Sequence, residues 1–238
     1  MDDLVELAVA AHGGLQNWIR RRSVDAQLRI DGGIWGAKGV GGKFTRIKLL
    51  GKLWAQEVQI SSMSGDWLSV FTPDNVRVEA WDGEVVDERR APRRSFPVHN
   101  PDAKWDDIHA IYFCSYALWT YITIPFLYTY PGFSAEELPE WEENGEIWRR
   151  LKVTFPISTA SHCREQISYF GGDGLLRRHD YTVDVMGGVT GANYATNYRV
   201  FDGVVVPASR RVFAYDAQRK RIDHPLLVSI DIESMQFR

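Results

Sequence analysis

Residues 162–185, HCREQISYF-GGDG-LLRRHDYTVDV, alternate on both sides of a Gly-Gly-Asp-Gly turn. Period-two alternation around such a turn is the pattern of a β-hairpin. Similar alternation recurs from residue 24 to the C-terminus. Val24, Ala26, Leu28 and Ile30 oppose Asp25, Gln27, Arg29 and Asp31; Leu226, Val228, Ile230 and Ile232 oppose Ser229, Asp231 and Glu233. A chain patterned this way builds an antiparallel sheet with one solvated and one apolar face. Further strands are expected over 44–50, 55–61, 67–71, 76–81, 148–155, 163–170, 175–185, 194–201 and 204–215. Trp81-Asp82-Gly83-Glu84 and Phe201-Asp202-Gly203-Val204 each carry the Asp-Gly hairpin signal.

Several segments interrupt the alternation. Leu4, Leu7, Ala8, Ala11, Leu15, Trp18 and Ile19 recur at helical spacing around Gly13-Gly14, which predicts a helix, a kink and a short second helix. The stretch 32–42 holds six glycines without a GxGxxG opening a helix, so a hairpin loop is expected and a phosphate cradle is not. Residues 87–94 read as a polar loop and 136–146 as an acidic one. Between them, Trp105, Ile108, Ile111, Tyr112, Tyr116 and Trp119 mark a helical insertion at about 102–124. No charged residue occurs from Ile111 to Ala135. Pro125, Pro131 and the tyrosines spread along that stretch argue against a transmembrane segment and for a buried helix running into an apolar loop.

The chain of 238 residues fits one domain spanning 1–238. Its net charge of −3, with dispersed Lys and Arg, leaves no footprint for nucleic acid. The runs Arg20-Arg21-Arg22 and Arg89 to Arg94 read as solvated loop or helix ends. Cys114 and Cys163 form no disulfide framework and no Cys/His ligand spacing, so neither a metal site nor a cofactor is expected. The start, MDDLVELAVAAHGG, opens on two acids and lacks a secretory pattern, so a reduced, cytoplasmic protein is expected. Aromatic residues, at 13%, exceed what composition alone explains. A sheet core or a ligand cavity would absorb them.

His12-Gly13-Gly14 followed by Trp18, the Trp81-Asp82-Gly83 turn, the helical insertion and the hairpin from Tyr169 to Arg178 together resemble the lipoprotein-carrier superfamily of LolA/LolB-like half-barrels. The resemblance covers most of the chain as a pattern. It implies a mainly β fold, a curved antiparallel sheet or half-barrel with an N-terminal helix and a helical lid around an apolar cavity. Known members include carriers of acylated proteins and lipids, and a cofactor-free enzyme of violacein biosynthesis shares the architecture. The start of the sequence reads without an export signal or a lipobox cysteine, so a departure from the carriers is expected. That departure shifts the expectation towards a cytoplasmic binder, or a cofactor-independent biosynthetic enzyme, acting on a hydrophobic or aromatic small molecule. A passive lipid or acyl carrier is the alternative.

Pairing Phe170 with Leu175 sets Gln166 opposite His179, Arg164 opposite Tyr181 and His162 opposite Val183, all on one face. A bulge in the glycine-rich turn would change which residues meet. In this register His179 and Tyr181 are the proton-transfer candidates and Arg164 the anion clamp. His162 and Gln166 would contact ligand, with Tyr194 and Tyr198 extending a polar rim. Trp105, Tyr112, Tyr116 and Trp119 form an aromatic stripe on the insertion that would line the lid. Asp180, Glu165 and Arg178 fall on the opposite face, as a surface ion-pair network worth little energy. Cys114 sits in an apolar setting that would make it inert, and no nucleophile motif is present.

Overall fold

The computed structural model describes residues 3–100 and 102–238. Asp2, one of the two opening acids, lies outside the described residues. In chain order the elements are α1 (Asp3–Ala11), α2 (Leu15–Trp18), β1 (Ser23–Asp31), α3 (Gly33–Ala37), β2 (Ile47–Lys52), β3 (Val58–Ser62), β4 (Leu68–Thr72), β5 (Asn75–Glu79), β6 (Val85–Arg90), α4 (Asp107–Thr123), β7 (Ser134–Glu143), β8 (Glu146–Thr154), β9 (Glu165–Phe170), β10 (Leu176–Val183), β11 (Val189–Phe201), β12 (Val204–Tyr215), β13 (Arg221–Ile222) and β14 (Val228–Phe237).

The strands form one large antiparallel sheet in the order β6-β5-β4-β3-β2-β1-β14-β12-β11-β10-β9-β8-β7, with β13 paired to β12. The sheet is curved and does not close, so β6 and β7 are its two edges. Alternation in sequence becomes alternation in burial: along β1, Val24, Ala26, Leu28 and Ile30 are buried and their neighbours are not. The expected helix, kink and short helix are α1, Gly13-Gly14 and α2. Both Asp-Gly signals are hairpins, and Asp202 and Gly203 have φ 50° and 81° in the β11–β12 turn.

Helix α4 occupies the concavity. Every residue from Ile108 to Thr123 is buried, as expected of a helix apolar on all sides. Its start is capped by Asp106, whose carboxylate accepts the His109 backbone N–H at 2.9 Å, while the His109 ring accepts the Asp106 N–H at 3.4 Å. His109 therefore has a structural place at the helix entry.

Three segments differ from expectation. Residues 87–94 and 136–146 are not simply loops, since most of β6 and most of β7 fall there. These are edge strands, and edges are kept polar to discourage further pairing. That composition also makes them look like loops. The glycine-rich stretch carries α3 instead of a plain hairpin loop. Gly33 and Ile34 donate their N–H groups to the carbonyls of Leu226 and Leu227 at 3.0 and 3.2 Å, pinning α3 to the chain ahead of β14. Gly32, at φ 125°, permits the approach, because a Cβ there would lie 2.4 Å from the Leu227 oxygen.

The expected surface network is also different. Arg178 and Asp180 are 0% and 1% exposed. The Arg178 guanidinium grips Asp180 through two bonds of 2.6 and 2.9 Å and donates to Glu143 at 2.7 Å. Tyr169 donates to Asp180 at 2.8 Å and Tyr194 to Glu143 at 2.5 Å. Trp141 and Trp148 of the β7–β8 hairpin pack over Tyr169 on this convex face. They exclude the water that hairpin alternation alone would have admitted. Glu165 stays exposed, as expected.

Candidate functional site: a cavity lined by a tyrosine pair

Helix α4 packs on β3, β4, β5 and β6. Against the other half of the sheet it leaves a cavity of about 380 Å³. Phe113, Ala117 and Leu118 of α4 form one wall, Val212 and Ile230 of the sheet another, and Ile34 and Trp35 of α3 also line it. The volume falls in the range of small-molecule pockets, roughly 300–1,000 Å³. Cys114 lines it too; burial pushes its thiol far above the ordinary value, so it is inert as a nucleophile.

Lys38, Thr190, Tyr121 and Tyr181 bring polar groups to this largely apolar lining, and the two tyrosine hydroxyls are hydrogen-bonded to each other at 2.5 Å. Tyr181 reaches this position across Gly191 of the neighbouring strand. A Cβ at 191 would lie 2.4 Å from its ring. Behind the pair sits His162, whose Nε2 bonds the Tyr121 hydroxyl at 2.8 Å and whose Nδ1 bonds the Tyr116 hydroxyl at 3.2 Å. Its ring stacks on Tyr181 with centroids 4.0 Å apart. Arg210 donates to the Tyr121 carbonyl at 2.8 Å and lies over the Tyr121 ring. It forms no ion pair with a carboxylate among the described residues.

Burial dominates the electrostatics. It drives His179 down from 6.5 to about 3, with Arg210 adding to the effect, and holds His162 well below its ordinary value, with His179 and Arg93 adding. It raises Tyr121 to about 12 and pushes Tyr116 and Tyr181 well above the usual phenol. At neutral pH the imidazoles are therefore uncharged and the phenols keep their protons. The tyrosine pair can donate a hydrogen bond to a carbonyl or hydroxyl oxygen, but it offers no charge.

The hairpin register differs from the expected one. Leu176, not Leu175, pairs with Phe170, and a bulge at Arg177 then sets His179 opposite Ser168. The two displacements preserve which side chains share a face, so His179, Tyr181 and Gln166 do lie on the concave side. They change the partners. Gln166 donates to the Cys163 carbonyl at 2.9 Å instead of meeting His179. Arg164 is a correction: it precedes β9, is exposed, and lies in a separate groove away from Tyr181. Tyr194 is another, because it pairs with Arg178 on the convex face and bonds Glu143 there. Tyr198 is half-buried and donates its hydroxyl to the Leu176 carbonyl.

On the insertion, Tyr116 holds His162, but Trp105, Tyr112 and Trp119 do not line the cavity. Trp105 packs on Phe96 and Phe113, Trp119 donates to the Lys52 carbonyl at 2.8 Å, and Tyr112 faces the Arg164 groove. A helix buried on every side has no single inner stripe, so spacing could not choose its cavity face. Tyr121 was missed for that reason. Arg210 had a readable signal, being the one charge among Val204, Val206, Ala208 and Val212 on the buried face of β12.

No family model matches the chain, and a search of curated proteins finds no match. Solved structures do match. A LolA superfamily protein from Nitrosomonas europaea aligns over 98% of this chain and 92% of its own, with 11% identity and a TM-score of 0.53. A DUF1329 family protein from Desulfovibrio piger aligns over 99% and 92%, with 13% identity and a TM-score of 0.51. At such identities the likeness is one of fold, and the chain has a LolA-like fold.

Proposed function

We propose that the chain, acting as one domain, binds a hydrophobic or aromatic small molecule in the hollow between α4 and the sheet. The molecule would present a hydrogen-bond acceptor to the tyrosine pair. The observation that carries this reading is a cavity of about 380 Å³ with a largely apolar lining that includes the hydrogen-bonded pair Tyr121 and Tyr181. Binding without chemistry is the better-supported form. An efficient general acid or base has a pKa near the working pH, whereas burial moves His179 to about 3 and Tyr121 to about 12. Catalysis by orientation alone would use the same cavity and is the second reading. Two free, buried thiols fit a reducing, cytoplasmic setting. No helix among the described residues is long and apolar enough to cross a membrane.

The test is native mass spectrometry of the freshly purified chain, combined with titration of an apolar fluorescent probe. The wild type should carry or take up about one molecule per chain. Ala117→Trp, which fills the cavity from α4, should weaken uptake at least about tenfold while the fold persists. Equal uptake by that variant would remove the proposal. Chemical conversion of a retained ligand would favour the orientational enzyme.

A further inference from the structure

The arginine run that reads as solvated in sequence has a defined place in the fold. Strand β6 ends at Arg90. Ala91 then takes a left-handed conformation at φ 47°, and Pro92 opens a short 3-10 turn, Pro92–Ser95. The turn aims Arg93 inward. Its guanidinium donates to the carbonyl of Ser161 at 2.8 Å and that of His162 at 3.5 Å, and to Asp184 at 3.0 Å. The facing segment, between β8 and β9, is clamped by Gln56. Its side chain donates to the Ala160 carbonyl at 2.7 Å and accepts the Ala160 N–H at 2.8 Å.

Between these two fixed walls runs a groove of about 480 Å³. Arg93, Arg94 and Arg164 line it, together with Ser158, Thr159 and Asp184. Arg94 and Arg164 are exposed, and their side chains form no hydrogen bond or ion pair with any described residue. Asp74 and Asp184 are the two carboxylates in the lining, and Asp184 is already paired with Arg93. Three guanidinium groups against two carboxylates leave the groove with one positive charge in excess, and Arg94 and Arg164 are the guanidinium groups without a partner. Phe155, Pro156 and Tyr112 add apolar surface.

We propose that this groove is a second binding site, separate from the apolar cavity, and that it takes a phosphate ester. Arg94 and Arg164 would hold the phosphate, and the Ser158 and Thr159 hydroxyls would complete its shell. Guanidinium forks match phosphate oxygens two at a time. The apolar wall would receive part of the organic remainder. Tyr116 and His162 lie between this groove and the cavity, and Arg93 is held on the His162 carbonyl, so the two sites stand back to back. The phosphate could belong to a free metabolite or to a lipid headgroup. Ile157, 93% exposed beside the groove, is placed to meet acyl chains in the second case.

The experiment uses the whole chain in two arms. Calorimetric titration at low salt with glycerol 3-phosphate and with inorganic phosphate tests the soluble source. Flotation with phosphatidylcholine vesicles, with and without phosphatidic acid, tests the lipid source. Saturable binding in the first arm supports a free phosphate ester. Binding only to vesicles containing phosphatidic acid supports a headgroup. In either arm the double variant Arg94→Ala with Arg164→Ala should bind at least tenfold more weakly, while its circular dichroism and its uptake of an apolar probe stay those of the wild type. Absence of saturable binding in both arms, or equal binding by the double variant, overturns the proposal.

Discussion

Four consecutive residues of β10 reach opposite faces of the sheet and meet opposite conditions. Arg178 and Asp180 point to the convex side, His179 and Tyr181 to the concave side, and all four are at most 4% exposed. On the convex side the charges are saturated. Asp180 receives Arg178, Tyr169 and Arg219, and Arg178 also reaches Glu143 and the Arg219 carbonyl. On the concave side neither nitrogen of His179 has a partner, and one Arg210 nitrogen is also unbonded. Asn193 lies against the Tyr121 hydroxyl without reaching hydrogen-bond geometry. Buried polar groups are normally satisfied. A saturated network is explained by the fold it holds together, whereas an unsaturated one beside a cavity has capacity left for a ligand or water.

The contrast can be broken most forcefully at Asp180. Asp180→Ala takes from the buried Arg178 its bidentate partner, leaving Glu143 as its one carboxylate, and should cost about 3–5 kcal/mol in urea denaturation. A loss below about 1 kcal/mol would mean that the convex network is not the structural one. Acid sensitivity comes next. His179 is depressed to about 3, His12 to about 4, and His162 also lies well below 6.5, in each case mainly by burial. The unfolded chain takes up these protons first. Stability is therefore full above about pH 6.5 and falls on acidification by about 1.4 kcal/mol per pH unit for each histidine, until its folded pKa is reached. His179→Gln should flatten that acid limb by one such slope between about pH 6.5 and 3, read from urea melts across pH. An unchanged limb would show that His179 is hydrated or charged in the folded state.

A smaller effect is expected at the tyrosine pair. Tyr181→Phe removes one donor and should weaken ligand uptake by about three- to tenfold, the net worth of one hydrogen bond. Unchanged affinity in a probe titration would leave the concave cluster without a binding role. Smallest of all, Arg164→Ala should alter stability by less than about 0.5 kcal/mol and leave cavity uptake untouched. A substantial loss of uptake would return Arg164 to the concave site.

Legibility followed the range of the physics. The hairpins at Asp82-Gly83 and Asp202-Gly203 could be read because a turn of two or three residues is a local matter. The edges β6 and β7 could not, because charge on an edge strand and charge in a loop have the same composition. On the concave face, His162, Gln166, His179 and Tyr181 were grouped correctly through parity, even though the bulge at Arg177 changed their partners. Tyr121 escaped because α4 is buried on all its sides. Arg164 was misplaced because β9 begins one residue after it.

By itself the sequence determined a two-sided antiparallel sheet interrupted by one apolar helix, since side-chain alternation and helical period are set within a few residues of backbone. Only the tertiary structure decided which half of the sheet α4 would fill and which it would leave hollow. It also decided that Tyr121 would meet both His162 and Tyr181. Those contacts join residues 41 and 60 positions apart, and their geometry depends on sheet curvature and helix docking, which no local pattern encodes.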